Sequence, residues 1–417
     1  MKTARAWRAL RREGMAGVWA RMRYRRSRRG AVALAPVQTP IRVRGTSGDA
    51  LQDVKQALAA LGVLHGEGQT PAAHDLYVIS ASSHLPPPTS GSLLLTSPEI
   101  AGTLAPSLAR RAAQDATAIL TPGAGFDALV GAGVPPGQVF VLPSPGESGE
   151  SHDMLAAGLT RWLVAAGGIC AKGLTPEVFP ALRNLSPQRA LCLSLPETPA
   201  RRRAFTDRHG TSFTLFDGIR LSPGWHGAAF SYATMARAAL AQGVVPLTVC
   251  EDDVALAPDY AETLRAVRAY LRQTDWDIFS GLVTNLAGIR KTPRAVLREG
   301  HTFVHLDQTI GMVFNIYNRR ALERLADWAP DRGGIGTNSI DAWLGTMPGL
   351  RVVTTLPFLA GHRGDLTSSI FGFSNRRYDS MIKASERLLA RRSRVVSDDG
   401  HTAPSRLVSE RESEPGG

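Results

Sequence analysis

Three consecutive carboxylates follow an apolar run near the middle of the chain. The run Val244–Val249 is rich in β-branched side chains, and Glu251, Asp252 and Asp253 come just after it. Such a run is typical of a buried strand in a parallel sheet, and ligands in open α/β folds bind beyond the carboxyl ends of these strands. Clustered carboxylates suit Mg²⁺ or Mn²⁺, which takes oxygen ligands and often shares them with substrate phosphates. We therefore predict a metal-bound nucleotide here, the alternative being a turn and helix N-cap.

The elements that would position these acids belong to a chain of 417 residues, which is long enough for two domains. No run of about 18 apolar residues occurs, and the amino terminus has no apolar core of a signal peptide, so we expect a cytoplasmic protein. The cysteines Cys170, Cys192 and Cys250 are widely spaced among apolar neighbours. This spacing predicts reduced, buried thiols rather than a disulfide or zinc framework.

The net charge of +12 is concentrated at one end of the chain. Residues 1–30 contain eleven Lys or Arg and one Glu, so they carry +10 and leave +2 for the rest. This tail also contains Trp7, Trp19 and other apolar side chains at loosely helical spacing. We predict a peripheral contact with an anionic membrane surface, on its cytoplasmic face, through residues 1–30. A disordered arm or a nucleic-acid arm is the alternative, although the nearly neutral remainder disfavours nucleic acid as a partner.

Strands and helices alternate after the tail. Residues 1–40 are predicted as tail and linker, 41–185 as a Rossmann-like α/β domain with a parallel, doubly wound sheet, 186–380 as a second α/β domain, and 381–417 as a charged, disordered tail. In the first domain the predicted strands include Leu76–Ser80, Leu93–Leu95 and Val139–Leu142. In the second, strands Ala190–Leu195 and Phe213–Phe216 and a helix Gly224–Leu240 precede the acidic segment.

Two stretches resemble known families. Residues 119–143, which combine a strand, a helix, Gly133-Val134-Pro135 and a second strand, resemble the inter-strand segment of two-Rossmann-domain glycosyltransferases. The donor-binding half of that family does not follow, which favours an accessory role for this domain. The order of four motifs resembles the family 25 glycosyltransferases of lipooligosaccharide biosynthesis over residues 190–372. These motifs are Ser194-Leu195 before Arg201–Arg203, Asp217-Gly218, a helix opening with Gly227 and Ser231, and Glu251-Asp252-Asp253.

The same resemblance continues more weakly downstream and includes two departures. Residues 311–325 are similar to a strand and helix of the family, and Ile340-Asp341 is similar to its later aspartate segment. Tyr232 stands where the family has His, and Ser369-Ile370 lacks the aspartate of the family ending. The resemblance implies a nucleotide-diphospho-sugar transferase (GT-A-like) fold and inverting, metal-dependent transfer of a hexose. By the same resemblance the donor is a UDP-sugar, with galactose as the sugar, and the acceptor is a lipid-linked or surface glycan such as lipopolysaccharide.

Each candidate site residue has a predicted role. Asp253 is predicted as a direct Mn²⁺ or Mg²⁺ ligand, and Asp252 as a ligand or a ribose contact. His362 follows a predicted strand and is a further candidate ligand, the alternative being a structural histidine. A glycosyl transfer needs a base for the acceptor hydroxyl, for which Asp341 is the first candidate and Asp365 the second, although Asp341 also suits a helix N-cap. The resemblance places donor binding at Ser194, Leu195, Arg202, Arg203, Asp217 and Ser231; one arginine would clamp diphosphate, and Asp217 could instead be a turn residue.

Two other functions stay open at this point. The departures from the family pattern make a non-catalytic scaffold that binds nucleotide sugar or glycan an alternative to the enzyme. A metal-dependent phosphotransferase or nuclease could use the same acids, but the chain has no phosphate-cradling Gly-x-x-x-x-Gly-Lys loop.

Overall fold

The computed structural model of the protein describes residues 40–45, 48–65, 74–80, 91–114, 118–143, 151–170, 174–286, 291–308, 310–370, 374–396 and 402–403. These residues fall into two compact units. The described residues up to 185, together with 193–238, form what we call the N-terminal unit, and 186–192 together with those from 239 onward form the C-terminal unit. The predicted tail and its membrane contact through residues 1–30 lie outside the described residues and stay predictions.

A parallel sheet of five strands forms the centre of the N-terminal unit. Its strands are β1 (Ile41–Gly45), β2 (His74–Ile79), β3 (Ser92–Leu95), β4 (Ile119–Pro122) and β5 (Val139–Leu142). Every pairing is parallel, as predicted, and the strands lie side by side in chain order. Leu64 also forms a parallel bridge to Ile41, which pairs with His74 of β2 as well, so the chain order reverses at β1 as the predicted doubly wound topology requires.

Helices cover both faces of this sheet because alternate strand residues point to opposite sides. On one face Leu94, Leu120 and Phe140 pack in a cluster with α1 (Asp49–Ala60) and α4 (Ser151–Ala165). On the other face Leu93, Ile119 and Val139 pack with α2 (Pro98–Ala112) and α3 (Gly123–Gly131). The neighbouring residues Leu93 and Leu94 thus belong to different cores, which explains why each short strand reads as wholly apolar.

The segment 193–238 belongs to the N-terminal unit, whereas the sequence places the domain boundary near residue 185. Its elements are the end of β6 (Ala190–Ser194), α5 (Pro199–His209), β7 (Phe213–Asp217) and most of α6 (Gly224–Ala241). Arg161 on α4 reaches this segment, since its guanidinium contacts Glu197 Oε2 at 2.6 Å and donates to the Gly218 carbonyl at 2.8 Å. This buried polar connection is one physical reason why the compact units do not divide the chain into 41–185 and 186–380.

The C-terminal unit contains a mixed sheet. Strands β8, β10–β14, β16 and β17 lie in the order β17-β16-β11-β12-β14-β10-β13-β8, and β9 and β15 form a separate antiparallel pair. Their bounds are β8 (Leu247–Glu251), β9 (Val254–Leu256), β10 (Ile278–Ser280), β11 (Arg294–Arg298), β12 (His301–Leu306), β13 (Phe314–Tyr317), β14 (Val352–Leu356), β15 (Ala360–His362), β16 (Arg394–Val396) and β17 (Thr402–Ala403). The helices are α7 (Tyr260–Leu271), α8 (Arg319–Ala326), α9 (Ile335–Asn338), α10 (Ile340–Gly345) and α11 (Arg376–Arg392).

The whole described chain is therefore of the α/β class, as predicted. Strand β8 runs antiparallel to β13, however, so the parallel sheet expected around the acidic segment was wrong. Strand β8 also begins later than the predicted Val244, because Pro246 precedes its first residue and proline cannot donate a ladder hydrogen bond. Glu251 is consequently the last residue of the strand, where its amide donates to the Val313 carbonyl at 2.9 Å.

The predicted disordered tail from residue 381 begins inside a helix instead. Helix α11 continues to Arg392, and Ile382, Ser385 and Leu389 are buried at spacings of three and four residues. Strand β16 follows and pairs in parallel with β11. The many charges of this stretch lie around an amphipathic helix, so that part of the tail prediction was wrong. No helix in the part of the chain that the structure describes is long and apolar enough to cross a membrane.

Candidate functional site

The acidic segment forms a buried turn between β8 and β9. Asp252 and Asp253 are 3% and 4% exposed, so neither carboxylate belongs to a solvated surface turn. Strand β9 pairs with β15 in a register that places Val254 opposite His362, and the Arg363 amide donates to the Asp253 carbonyl at 2.8 Å. Two predicted ligands that are distant in sequence, Asp253 and His362, are thereby brought side by side.

Asn375 and His362 are side-chain neighbours of the Asp253 carboxylate. Asn375 Nδ2 donates to Asp253 Oδ2 at 2.8 Å, and His362 Nδ1 lies 3.6 Å from the same oxygen. Asn375 is completely buried, and its amide donates to the Leu366 carbonyl at 2.8 Å, which fixes the residue just before α11. The carboxylate is therefore held by a neutral amide and faces an imidazole.

Tyr378, in the first turn of α11, stacks on the ring of His362. The two rings stack with centroids 4.6 Å apart and planes 15° apart. Burial raises the pKa of Tyr378, the negative charges of Glu251, Asp253 and Asp341 raise it further, and Arg377 opposes them. The phenol is therefore protonated at neutral pH and available as a hydrogen-bond donor.

Asp341 lies within the electrostatic reach of this cluster. Burial raises the pKa of Tyr317, and the charges of Glu251 and Asp341 raise it further, while its hydrogen bond from Asn315 opposes this. Asp341 Oδ1 accepts hydrogen bonds from Ser339 Oγ at 2.7 Å and from the Ala342 amide at 2.9 Å. The N-cap position itself belongs to Ser339, so Asp341 supports the first turn of α10 rather than capping it.

Asp365, the second candidate base, is an exposed partner of Arg363. Its side chain is 60% exposed, and the arginine contacts both carboxylate oxygens, at 3.1 and 2.5 Å. A carboxylate in this arrangement is a surface ion pair with a small net effect on stability. Nothing in these contacts places it beside Asp253.

The candidate donor-binding residues belong to the N-terminal unit. Arg202 on α5 pairs with Asp217 at the end of β7, with 2.5 Å between the guanidinium nitrogen and Oδ1. Arg203 is exposed, and the Leu195 carbonyl accepts from the Thr198 amide at 2.9 Å. Arg202 and Asp217, which the sequence predicts as separate contacts to a donor, thus lie together.

Ser231 and Ser194 make hydrogen bonds within the same unit. Ser231 Oγ donates to the Gly227 carbonyl and accepts from the Ile219 amide, both at 2.8 Å. A Cβ on Gly227 would lie 2.3 Å from the Ile219 carbonyl oxygen, so only glycine lets α6 approach this loop. The buried Ser194 accepts through its carbonyl from the Gly218 amide at 2.9 Å. Ser194 and Ser231 thus both take part in hydrogen bonds that connect the ends of the strands to the neighbouring chain.

The donor set around Asp253 fits a hard divalent ion in its chemistry. Two buried carboxylates and an imidazole are ligands that Mn²⁺ accepts. Among the described residues no three His, Cys, Asp or Glu side chains are grouped as they would be around one ion. An ion shared with a substrate diphosphate needs only one or two protein carboxylates, and Asp252 and Asp253 meet that smaller requirement.

Asn375, Tyr378 and Tyr317 were missed in the sequence. One signal existed for Asn375, since asparagine directly before an amphipathic helix is a typical N-cap. In the structure, however, Asn375 stands at the N-cap position of α11 without a side-chain capping bond, and its amide serves Asp253 instead. Tyr317 and Tyr378 could be recognised as part of the site only from the fold, because nothing in the local sequence distinguishes them from core aromatics.

Neither a family model nor a curated protein sequence matches this chain.

Proposed function

We propose that the protein is a metal-dependent glycosyltransferase with a GT-A-like C-terminal domain. It moves a hexose, galactose by the family resemblance, from a UDP-sugar to a lipopolysaccharide or other surface glycan acceptor. The observation that carries the proposal is the buried turn of Asp252 and Asp253 with His362 and Asn375 at the Asp253 carboxylate. Buried carboxylates beside an imidazole are ligand types that suit a divalent cation such as Mn²⁺.

In this proposal Asp252 and Asp253 would hold the metal ion together with a substrate diphosphate, and His362, beside Asp253, is the further candidate ligand. Bound Mn²⁺ or Mg²⁺ supplies Lewis-acid neutralisation of the leaving diphosphate. Asn375 fixes the orientation of the Asp253 carboxylate through its 2.8 Å hydrogen bond, and Tyr378 fixes the ring of His362 by stacking. Asp252, Asp253 and Asn375 are buried, which excludes water from these groups and strengthens their electrostatic effect.

Asp341 is the proposed base that takes the proton of the acceptor hydroxyl. The position of this carboxylate is fixed by Ser339 and by the Ala342 amide, which is what a general base requires. Asp365 is the second candidate, and its pairing with Arg363 would have to open first. Arg202 as a diphosphate contact and Asp217 as a nucleoside contact stay predictions from the resemblance, and in the N-terminal unit these two side chains pair with each other.

The proposal is tested by thermal stabilisation with a panel of nucleotide sugars, with and without Mn²⁺, followed by turnover of the selected donor. Selective, metal-dependent stabilisation is expected, because a ligand that binds the folded state raises its apparent stability. Asp253→Ala should abolish Mn²⁺-dependent turnover and Asn375→Ala should weaken the apparent Mn²⁺ affinity about tenfold. The control is Asp327→Ala, which removes an exposed carboxylate paired with Arg332. Full activity of a folded Asp253→Ala protein would contradict the assignment.

A non-catalytic scaffold that binds nucleotide sugar or glycan is the second candidate. It is favoured by the buried Tyr232, which stands where the family has His. Donor binding without hydrolysis or transfer, in the presence of Mn²⁺, would support the scaffold. On either alternative we propose a protein that acts at the cytoplasmic face of a membrane, on a lipid-linked or surface glycan.

A further inference from the structure

A cleft of about 310 Å³ lies in the C-terminal unit between the start of β11 and the end of α11. Seven described residues line it, and none of them belongs to the acidic turn or to its neighbours. The apolar part of the wall consists of Leu286, Pro293, Leu388 and Leu389. The remaining lining residues are polar or charged, and they include one cation on the segment before β11 and one at the end of α11.

The two cations of the cleft are Lys291 and Arg392. Both side chains are exposed, and neither forms an ion pair with a carboxylate of the described residues. The chain is fixed at Lys291, since its backbone amide donates to Asp307 Oδ2 at 3.1 Å. Two cations from different parts of the chain thus line one cleft whose wall also contains apolar side chains.

Arg392 has an ordinary structural explanation, because a cation in the last turn of a helix interacts favourably with the helix dipole. That explanation does not cover Lys291, which lies on a separate segment before β11. It also does not cover the apolar wall. Leu388 is partly exposed and its neighbour Leu389 is fully buried, and both line the cleft.

We propose that this cleft binds an anionic amphiphile, that is, one phosphate headgroup attached to an alkyl chain. The cations would bind the phosphate by charge-assisted hydrogen bonds, and the leucines and proline would contact the first carbons of the chain. The volume accommodates a headgroup with a short alkyl segment, and a longer chain would extend out of the cleft. This site is separate from the acidic turn and does not depend on glycosyl transfer.

The test measures binding of monooctyl phosphate to the full chain by calorimetry, with inorganic phosphate and 1-octanol as the other two probes. We expect monooctyl phosphate to bind at least tenfold more tightly than either. The double variant Lys291→Glu, Arg392→Glu should reduce its affinity at least tenfold. The matched control is Lys383→Glu, Arg387→Glu, which makes the same charge change at exposed positions of α11 that do not line the cleft.

Three results would overturn the proposal. Equal binding of inorganic phosphate would show a simple anion site, and equal binding of octanol would show non-specific apolar binding. Equal loss of affinity in the control variant would show that only the overall charge matters. Since the comparison of the three probes uses the unaltered protein, it decides the proposal even if the cleft variant does not fold.

Discussion

Two buried carboxylates, Glu197 in the N-terminal unit and Asp253 in the C-terminal unit, are stabilised in different ways. Glu197 Oε2 pairs with Arg161 at 2.6 Å, with side chains 3% and 1% exposed, and Oε1 accepts from the Val141 amide at 3.1 Å. Burial by itself would raise the pKa of Glu197, but the guanidinium groups of Arg161 and Arg220 leave it below its ordinary value. Asp253 is as deeply buried, and its side-chain partners include the Asn375 amide and the His362 ring.

The difference separates a structural charge from one available for chemistry. A buried carboxylate neutralised by a fixed guanidinium has little left to offer a ligand, and the pair serves to join α4 to the segment that follows β6. A buried carboxylate that lies beside an amide and an imidazole has the ligand chemistry to receive a divalent cation. Asp277 follows the pattern of Glu197, since it is 1% exposed and contacts both Arg320 and Arg351. We therefore expect removal of the Glu197 charge to lower mainly the stability of the fold. Removal of the Asp253 charge should instead affect mainly activity.

The largest effect is expected for Glu197→Gln. This change leaves Arg161 buried without its counter-charge, which should lower the free energy of unfolding by about 3–5 kcal/mol. The measurement is urea denaturation at pH 7. Asp153→Asn serves as the control, because its pair with Arg183 is exposed and should contribute no more than about 1 kcal/mol. Similar losses of unfolding free energy in both variants would show that the buried pair stabilises the fold no more than the exposed one.

A much smaller change in stability is expected for Asp253→Asn. The substitution keeps the shape and a hydrogen-bond acceptor for Asn375, and it removes a buried charge, so the free energy of unfolding should change by no more than about 1 kcal/mol. In contrast, any increase of the melting temperature on adding Mn²⁺ should disappear. A loss comparable with that of Glu197→Gln would make Asp253 a structural charge, contrary to the comparison.

Acid should reduce the difference between wild type and Glu197→Gln. Because the pKa of Glu197 is lowered in the folded state, the unfolded chain binds more protons below the ordinary value of 4.5. The stabilisation is therefore complete above that pH and is lost as the pH falls towards the folded-state pKa. The difference in unfolding free energy between the two proteins should therefore be smaller at pH 3.5 than at pH 6. A constant difference over this range would show that the charge of Glu197 does not stabilise the fold.

Most elements could be predicted because their signals are local. Strands such as Val139–Leu142 are short apolar runs bounded by proline and glycine, and the observed β5 has the same bounds. The short extended stretch at Leu64, which pairs with Ile41, was not predicted, because a single bridge leaves no apolar run in the sequence. The end of the chain was misjudged because its charges outnumber the few residues, Ile382, Ser385 and Leu389, that define the buried face of α11.

The site was predictable only where a motif marks it. Glu251, Asp252 and Asp253 are adjacent in sequence, so their clustering needs no knowledge of the fold. His362 was a candidate from its position after a strand, and the pairing of β9 with β15 supplies its nearness to Asp253. Asn375 and Tyr378 could not be found this way, because an amide and a phenol acquire their roles only from what the fold places beside them.

The start of α11 sets a limit on how far the chain can be shortened. The family resemblance covers residues 190–372, so a truncated protein ending at residue 372 would keep every motif that the resemblance contains. It would nevertheless lack the Asn375 amide on Asp253 and the Tyr378 ring on His362. Boundaries for expressing the C-terminal domain should therefore be chosen after Arg392, at the end of this helix, and not where the motifs end.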